Sequence, residues 1–393
     1  MSEMSYLEKL LDGVEVEWLP LGEVSALRRG RVMSKGYLTE NFGPYPVYSS
    51  QTANNGKIGS INTFDFDGEY ISWTTDGANA GTVFYRTGKF SITNVCGLIT
   101  LKSKYPLIYK FLFYWLTIEA KKHVYSGMGN PKLMSHQVEN IPVPIPCPDN
   151  PEKSLAIQSE IVRVLDKFTA LTAELTAELN MRKKQYNYYR DQLLSFKEDE
   201  VEWKTLGEVA QYSKTRISFE LLDERNYVGV DNLLQNRAGK SLSNHVPTSG
   251  KLTEFIPNDI LTGNIRPYLK KIWQADCIGG TNGDVLVIRC IDSSINTRYL
   301  YQILADDKFF EYNMQHAKGA KMPRGSKEDI MKYPIPVPPL TWQARIVEIL
   351  DKFDTLTNSI TEGLPREIEL RQKQYEYYRD LLFSFLKTET VSN

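Results

Sequence analysis

Clusters of basic and amide side chains are the residues in this sequence that could do chemistry. Lysine and arginine carry the charge that binds phosphate groups, and arginine, lysine, asparagine and glutamine match the hydrogen-bonding edges of bases. Such clusters occur in both halves of the chain, in stretches without carboxylates, and they indicate contact with a nucleic acid. The candidate residues are Arg28, Arg29, Arg31, Lys35, Ser50, Gln51, Asn54, Asn55, Lys57 and Lys132 in the first half, and Asn264, Arg266, Tyr268, Lys270, Lys271, Lys318, Lys321 and Arg324 in the second.

Any one of these clusters taken alone is better explained as a solvated surface. The formal net charge of the chain is -1, so binding of a polyanion has to come from local patches. The clusters recur in both halves of this slightly acidic chain, and that recurrence favours the nucleic-acid interpretation.

Motifs of the common catalytic and cofactor sites are incomplete in this sequence. Residues 239–241 (GKS) match the end of a phosphate-binding loop, but Leu234 occupies the position of its first glycine. Residues 130–133 (NPKL) do not complete the tetrapeptide that an adenine methyltransferase carries. The four histidines and four cysteines show no metal-ligand spacing. The sequence therefore predicts no metal site and no catalytic residues, and it favours a non-catalytic subunit.

Composition sets the broad class of the protein. The chain has 393 residues, of which 41% are hydrophobic and 24% charged, as is ordinary for a soluble protein of two or three domains. Cysteines without disulfide spacing indicate reduced thiols and a cytoplasmic location. The most apolar run, residues 107–118, is too short to cross a membrane.

The elements that must position the clusters are two copies of a long helical stretch. The copies are residues 157–196 and 342–385, and eleven of their last sixteen residues are identical. Apolar residues recur in both at steps of four and three, from Ile157 and from Trp342, which is the seam of a coiled coil. Two independent helices on separate cores are the alternative, but two matching seams more simply pack on each other.

A second repeat shows where the duplicated unit begins. The segment VEW-x-x-LGEV occurs at Val16 and again at Val201, and alternating prolines precede each long helix, at residues 141–146 and 333–339. Such a run is extended and cannot be a central strand or a helix. The chain is therefore predicted to be two copies of one unit cut within a helix, with pseudo-twofold symmetry and residues 6–11 as the tail of that helix.

The segments that precede the two long helices predict the fold class. Both are rich in turn residues and short β-type runs, and each contains one helical run, at residues 107–122 and 297–312. The prediction is an α+β protein in which two β-rich globular domains are separated by two long antiparallel helices that form a coiled coil. The predicted boundaries are 1–150 for the first domain, 151–200 for the first long helix, 201–340 for the second domain and 341–393 for the second long helix.

The repeated frame resembles the specificity subunit of type I restriction-modification systems, and most closely the type IC group. The resemblance rests on MSEMSYLEKLLDGVEVEW, IPVPIPCPDNPEKSLA, the TAELTAEL run from Thr172, MRKKQYNYYRDQLLSF and EGLPREIELRQKQYEYYRD, about a third of the chain. It implies that the two domains are target recognition domains, each binding one half of a split double-stranded DNA target. It also implies methyltransferase and restriction subunits as partners, with S-adenosylmethionine, ATP and Mg²⁺ on those partners and no cofactor on this chain.

Two near-copies of one helix offer two near-equivalent docking surfaces, so we expect two methyltransferase subunits for each chain. Tyr188 and its copy Tyr377 lie off the predicted seam and are candidates for that interface, together with Arg190 and Arg379. The neighbouring tyrosines on the seam are expected to pack between the helices.

The first long helix carries a tandem quartet, TAEL at residues 172–175 and again at residues 176–179. Four residues add about 6 Å to a helix and turn it by a net ~40°, while one base pair turns B-DNA by roughly 35°. The number of quartets is therefore predicted to set the unread spacer between the half-sites. The second copy carries Gly363 and Pro365 near the equivalent place, where a kink is expected. A scaffold without DNA contact and a self-contained enzyme are the alternative interpretations.

Overall fold

The computed structural model describes residues 13–127, 129–359 and 361–384 of the chain. Contacts divide the chain into two compact units. Among the described residues, one unit contains 13–171 and 371–384, and the other contains 172–370. The predicted helix tail at residues 6–11 and the end of the second long helix at Phe385 lie outside the described residues.

The first unit contains the first lobe, residues 13–150, in which strands predominate. Six of its strands form one sheet in the order β2-β7-β5-β6-β3-β4, and β1 pairs with β8 apart from that sheet. The strands are β1 (Val16–Pro20), β2 (Ser25–Arg29), β3 (Phe42–Tyr48), β4 (Lys57–Ile61), β5 (Phe66–Thr74), β6 (Val83–Ile92), β7 (Cys96–Leu101) and β8 (Pro142–Pro146). The helices are α1 (Leu21–Val24), α2 (Lys35–Glu40), α3 (Tyr109–Glu119) and α4 (Ser135–Val138), followed by the long helix α5 (Pro151–Leu194).

The second unit contains the second lobe, residues 201–339. It has two four-stranded sheets, in the orders β10-β17-β14-β15 and β11-β13-β16-β12, and a separate pair of β9 with β18. The strands are β9 (Glu202–Thr205), β10 (Ala210–Tyr212), β11 (Arg216–Ser218), β12 (Tyr227–Val228), β13 (Lys251–Phe255), β14 (Ile260–Gly263), β15 (Ile272–Gln274), β16 (Gly279–Thr281), β17 (Val285–Cys290) and β18 (Pro334–Val337). The helices are α6 (Leu206–Val209), α7 (Thr297–Leu304), α8 (Asp307–Gln315) and α9 (Lys327–Ile330), followed by α10 (Leu340–Asn358) and α11 (Gly363–Ser384).

Each lobe buries an apolar core between sheet and helix. In the first lobe Trp73 of β5 and Trp115 of α3 are each 1% exposed and belong to one apolar cluster. Residue 97 must be glycine because a Cβ there would overlap the indole of its cross-strand partner Trp73. In the second lobe Tyr299 of α7 and Phe309 of α8 are fully buried in the corresponding cluster. The predicted α+β class with two β-rich lobes and long helices is confirmed.

Each run of alternating prolines forms one strand of a two-stranded sheet. In the first lobe β8 lies antiparallel to β1, with Trp18 opposite Pro144. In the second lobe β18 lies antiparallel to β9, with Trp203 opposite Pro336. Proline is tolerated in such a pair because the outer edge of the strand needs no hydrogen-bond donor. The prediction of an extended, non-central segment is confirmed, and its partner in both lobes is the VEW segment.

The first long helix is continuous over the 44 residues of α5, which corresponds to about 66 Å. Its fully buried apolar residues in the first unit are Ile157, Ile161 and Leu165, which recur every four residues and pack on the core of the first lobe. The predicted seam of alternating four and three steps is therefore wrong in part. Leu171 on that seam is 36% exposed, and Trp342, which begins the second copy, is 55% exposed.

The second long helix is broken between α10 and α11. α11 begins at Gly363, whose φ of +78° is a conformation that side chains rarely adopt. A Cβ at that residue would also overlap the carbonyl oxygen of Thr355. The predicted kink near Gly363 and Pro365 is thus a complete break.

One helical run is as predicted and the other is divided. The run at residues 107–122 corresponds to α3 and a short 3-10 turn, Ala120–His123. The run at residues 297–312 is split into α7 and α8. The reason is a new N-cap, because the carboxylate of Asp306 accepts a hydrogen bond from the backbone N–H of Lys308 at 2.9 Å.

One buried glutamine attaches each lobe to its long helix, and it does so in the same way in both lobes. The side-chain oxygen of Gln158 accepts from the N–H of Ile108 at 2.9 Å, and its amide donates to the carbonyl of Pro106 at 2.6 Å. Gln343 occupies the same position of the second copy, and its oxygen accepts from the N–H of Asn296 at 2.7 Å. Both glutamines are 0% exposed, so the two copies use one buried polar anchor.

Aromatic stacking joins helices within each unit. In the first unit the rings of Phe168 and Tyr378 stack with their centres 5.3 Å apart. In the second unit Tyr186 stacks on Phe353 at 5.8 Å, and Tyr186 is 3% exposed. The expectation that this tyrosine packs between helices is confirmed.

The anchor predicts a stability effect. Replacing Gln343 with alanine leaves the N–H of Asn296 and the carbonyl oxygens of Ser294 and Pro338 without this partner. We expect the free energy of unfolding to fall by about 2 kcal/mol, measured from urea denaturation curves. The control is Gln315→Ala at the exposed end of α8, which should change stability by less than about 0.5 kcal/mol. If Gln343→Ala lowered the free energy of unfolding no more than the control does, the anchor would not be stabilising.

Candidate nucleic-acid interface

The Asn loop of the first lobe, residues 49–57, joins β3 to β4. It closes on itself because the N–H of Ser49 donates to the carbonyl oxygen of Gly56 at 2.9 Å. Asn54 and Asn55 have φ values of +49° and +54°, the left-handed region that asparagine tolerates better than most residues. Both are exposed, so the loop presents two amides to solvent.

A buried arginine holds this loop from inside the lobe. Arg86 is 3% exposed, its Nη1 donates to the carbonyl of Asn55 at 2.8 Å, and its Nε donates to the hydroxyl of Ser72 at 3.0 Å. Its guanidinium lies 3.6 Å from the centre of the Tyr48 ring, within the range of a cation–π contact. Burial lowers the pKa of Arg86 to about 10, which still leaves it charged near neutral pH.

The middle turn of the first lobe, residues 75–82, lies beside the Asn loop. The side-chain amide of Asn79 donates to the carbonyl oxygen of Ser50 at 3.2 Å. On the other side, the N–H of Gly77 donates to the carbonyl oxygen of Pro131 at 3.0 Å. The middle turn therefore links the Asn loop to a third segment.

That third segment is the proline hairpin, residues 125–132 apart from residue 128. Tyr125 and Lys132 exchange two backbone hydrogen bonds, at 2.8 and 3.0 Å. The hairpin is held at its end because the N–H of Leu133 donates to the carbonyl oxygen of Thr75 at 2.9 Å. We call the Asn loop, middle turn and proline hairpin together the three-loop surface of the first lobe.

The second lobe builds its own Asn loop from residues 234–240. The N–H of Leu234 donates to the carbonyl oxygen of Gly239 at 2.9 Å, as the N–H at the start of the first loop donates to its glycine. Asn236 and Arg237 have φ values of +55° and +65°. The left-handed backbone of the first lobe is thus repeated with different side chains.

The middle turn of the second lobe, residues 264–270, also lies between two loops. On one side the N–H of Arg237 donates to the carbonyl oxygen of Lys270 at 2.9 Å. On the other side the N–H of Arg266 donates to the carbonyl oxygen of Pro323 at 2.7 Å. These bonds correspond in position to the two that flank the middle turn of the first lobe.

The proline hairpin of the second lobe is residues 318–324. Lys318 and Arg324 exchange backbone hydrogen bonds at 2.9 and 2.8 Å, and the N–H of Gly325 donates to the carbonyl oxygen of Asn264 at 3.0 Å. Both hairpins end in a proline followed by a basic residue. The second lobe therefore has a three-loop surface in which the same main-chain hydrogen bonds close the Asn loop, form the hairpin and join the hairpin to the middle turn. The link between the Asn loop and the middle turn differs, because it is a backbone bond here and a bond of the Asn79 side chain in the first lobe.

The Asn loop of the second lobe is held by a side chain of the loop itself. The guanidinium of Arg237 donates to the carbonyl oxygen of Ala305 and to the carboxylate of Asp307. Burial, together with the nearby charge of Arg190, lowers the pKa of Arg237 to about 10. The Nζ of Lys270 also contacts Asp307, at 2.8 Å.

The first-lobe candidates fall on this surface and on nearby strands. Arg29 donates from Nη2 to the carbonyl oxygen of Asn94 at 2.9 Å, and Arg31 forms an ion pair with Asp65 at 3.0 Å. The candidates that the structure brings together on the three-loop surface are Ser50, Gln51, Asn54, Asn55, Lys57 and Lys132, and those on other elements are Arg28 and Arg29 of β2, Arg31, and Lys35 of α2.

Two of the second-lobe candidates turn inward. Asn264 is 5% exposed, because its backbone bonds to Asp284 and Gly325 hold it between the sheet and the hairpin, so the prediction that its side chain contacts DNA is wrong. Lys271 donates from Nζ to the carbonyl oxygen of Val230, and burial lowers its pKa. The candidates exposed on the surface are Arg266, Tyr268, Lys318, Lys321 and Arg324.

Of the candidate docking residues on the long helices, some are exposed and others are buried or partly buried. Tyr188 and Tyr377 are 61% and 57% exposed. Arg190 is 2% exposed and donates from Nη1 to the carbonyl oxygen of Ala305 at 3.1 Å, so its prediction as a docking residue is wrong. The side chain of Arg379 is 19% exposed.

Several residues of the two surfaces, or in contact with them, were not among the candidates predicted from the sequence. Gln235, Asn236 and Lys240 belong to the second Asn loop, and Arg86 supports the first. The available signal was that both Asn loops end in glycine and lysine, and that both hairpins end in proline and a basic residue. Nothing in the sequence around Arg86 distinguishes it from an exposed strand residue.

No group of metal-binding side chains occurs among the described residues. None of the helices in the described part of the chain is long and apolar enough to cross a membrane.

The family model for the type I restriction modification DNA specificity domain matches residues 13–182 and again residues 198–370. The chain therefore belongs to that family, and each match contains one lobe with its three-loop surface. The resemblance seen in the sequence, including that to the type IC group, is confirmed.

Two relatives match this chain over nearly all of their length. The chain is 42% identical over 428 aligned residues to the EcoR124I/EcoR124II specificity subunit of Escherichia coli, with complete coverage of both chains. It is 32% identical to a putative type I specificity subunit of Haemophilus influenzae, covering 97% of this chain and 98% of that one. The chain is accordingly a specificity subunit with two target recognition domains, the DNA-recognition and non-catalytic part of a type I restriction-modification system.

A solved structure supports the fold. The type I restriction-modification S subunit from M. genitalium superposes with a TM-score of 0.62 at 15% identity, covering 97% of this chain and 98% of that chain.

The packing of the second hairpin predicts the effect of one methyl group. A Cβ at Gly325 would overlap the Oδ1 atom of Asn313 and lie 2.9 Å from that of Asn264, whereas a Cβ at Gly283 would meet nothing within 4 Å. We expect Gly325→Ala to displace the hairpin and destabilise the protein by about 1–3 kcal/mol. Gly283→Ala is the control and should be neutral in thermal unfolding. Similar melting temperatures for the two variants would contradict this packing.

Proposed function

We propose that each lobe reads one half of a split double-stranded DNA target, through its three-loop surface. On this proposal residues 1–150 and 201–340 are the target recognition domains, and residues 151–200 and 341–393 are the helices that separate them. The observation that supports it is that both lobes repeat the main-chain hydrogen bonds that close the Asn loop, form the hairpin and join the hairpin to the middle turn, beneath different exposed side chains. Two surfaces of one geometry and different chemistry suit two different half-sites.

The exposed groups of these surfaces have the chemistry that DNA requires. Basic residues supply charge for phosphates on the hairpins of both lobes and on the middle turn of the second lobe, and the amides of the Asn loops can contact base edges. Arg324 is already paired with Asp284 at 2.7 Å, so it contributes less free charge than the neighbouring Lys318 and Lys321.

The proposed protein partners are two methyltransferase subunits for each chain and, through the assembled complex, the restriction subunits. S-adenosylmethionine, ATP and Mg²⁺ then act on those partners. The support is the duplicated frame, in which Tyr188 and Tyr377 are exposed at equivalent positions of the two copies. In the second unit the exposed Trp342 also adjoins a groove of about 570 Å³ lined by Leu193, Phe196 and other residues.

The charge on the second hairpin predicts a change in salt dependence. Replacing Lys318 and Lys321 with alanine should lower the slope of log affinity against log salt concentration by about 1 per lysine, because each phosphate contact releases counterions. The measurement is DNA binding by the assembled methyltransferase at several salt concentrations. The control replaces the exposed helix lysines Lys167 and Lys352 and should leave the slope unchanged.

The uninterrupted helix α5 is proposed to set the spacer between the half-sites. Both TAEL quartets, residues 172–175 and 176–179, lie within it. Removing four residues shortens a helix by about 6 Å and turns its end by a net ~40°. One base-pair step of B-DNA turns by a similar angle.

Deletion of residues 176–179 should therefore change the spacer length and leave both half-sites intact. Methylation mapping of a genome that carries the variant with its methyltransferase partner measures both at once. The matched control replaces Thr176, Glu178 and Leu179 with alanine, which keeps the helix length and should keep the spacer. A changed half-site, or an unchanged spacer after the deletion, would count against the proposal.

A further inference from the structure

The two Asn loops share a backbone that ordinary residues adopt only at a cost. Asn54 and Asn55 in the first lobe, and Asn236 and Arg237 in the second, have φ values between +49° and +65°. Each non-glycine residue in this region costs of the order of 1 kcal/mol. Such residues persist where the surrounding structure fixes them, and they cluster at functional sites.

Arginine side chains supply that fixing in both lobes. The guanidinium of Arg86 donates to the carbonyl oxygen of Asn55 at 2.8 Å and to the neutral hydroxyl of Ser72 at 3.0 Å. This buried cation therefore stabilises the loop. Arg237 reaches from its own loop to the carbonyl oxygen of Ala305. In both lobes an arginine therefore fixes the Asn loop, although the two arginines occupy different positions in the lobe.

The exposed side chains of these loops include two primary amides in each lobe. Asn54 and Asn55 are exposed in the first loop, and Gln235 and Asn236 in the second. A primary amide places a donor and an acceptor side by side, which matches N6 and N7 of adenine in the major groove. Each loop ends in a glycine followed by a lysine. Lys57 is exposed and can reach a phosphate beside the base, whereas the Nζ of Lys240 donates to the carbonyl oxygen of Arg225 at 2.7 Å.

Resting on the proposed function, we infer that these amides are base-reading groups, one pair for each half-site, and that Arg86 and Arg237 are positioning residues for them. The ligand is an adenine-containing step of duplex DNA in each half-site. The basic residues of both hairpins and of the second-lobe middle turn contribute affinity, and the amides contribute the choice of base. The reading amides are those of Asn54, Asn55, Gln235 and Asn236.

Glycine variants test the amides without disturbing the loops. Glycine adopts positive φ freely, so the double variant N54G/N55G and the variant N236G remove amides and keep the backbone. N258G is the matched control, because Asn258 is exposed with a φ of +73° in the turn between β13 and β14. Base preference is measured with the assembled methyltransferase on DNA libraries in which one half-site at a time is randomised.

We expect N54G/N55G to lose about tenfold of its preference for a base in one half-site and none in the other, and N236G to show the reverse. The control should keep both preferences. If the wild-type complex selects DNA and both loop variants retain full preference at every position, the inference is overturned. If the wild-type complex shows no sequence-dependent, salt-sensitive binding, the proposed function itself fails.

The positioning role of Arg86 is tested by Arg86→Lys. Lysine keeps the charge but lacks the fork that reaches two acceptors. We expect loss of base preference at the half-site of the first lobe only, with the salt slope of DNA binding unchanged. The second half-site of the same molecule is the internal control for folding and assembly. An equal loss at both half-sites, or no loss, would show that Arg86 does not position the reading amides.

Discussion

Attachment of each lobe to its helix is the constraint on which the rest of this structure depends. In both units a fully buried glutamine spans helix and lobe, Gln158 in one and Gln343 in the other. Eight residues further along each helix a carboxylate repeats the attachment, since Asp166 accepts from Lys110 at 2.5 Å and Asp351 accepts from Arg298 at 2.8 Å. A buried amide with partners on both sides is costly to leave unpaired. The helix therefore carries its lobe in a defined orientation within the unit.

The frame could be predicted from the sequence because its signals are local and duplicated. The copied helix, the VEW segment and the proline run each carry a pattern that one physical rule interprets. Where the predicted burial of a residue was wrong, a tertiary contact outweighed the local sequence pattern. Leu165, which lies outside the predicted seam, is fully buried, whereas Leu171 on that seam is 36% exposed, because the core of the first lobe determines which face of α5 is buried in the first unit. Arg190 is buried although arginine is usually exposed, because the carbonyl of Ala305 and the ring of Tyr186 receive its guanidinium.

The candidate interface could be predicted only in part, because main-chain hydrogen bonds define it. The bond from Gly77 to Pro131 in one lobe is equivalent to the bond from Arg266 to Pro323 in the other, although the donor residues are a glycine and an arginine. Charge clusters found several residues of each surface. They could not separate Asn264, which is turned inward, from its exposed neighbours, because burial depends on where the hairpin packs. Arg86 lies far from its loop in sequence and gave no signal.

A surface defined by its main chain has a consequence for specificity. If the loops are fixed by backbone bonds and by one arginine in each lobe, the exposed side chains can differ without altering the fold beneath them. The two lobes illustrate this, since Arg86 comes from a neighbouring strand whereas Arg237 comes from the Asn loop itself. A base-edge contact needs a side chain held in a defined direction, and a strained loop pinned from inside provides that direction without consuming the side chain. The strain in the Asn loops is then explained as the cost of presenting amides outward on a short, rigid turn.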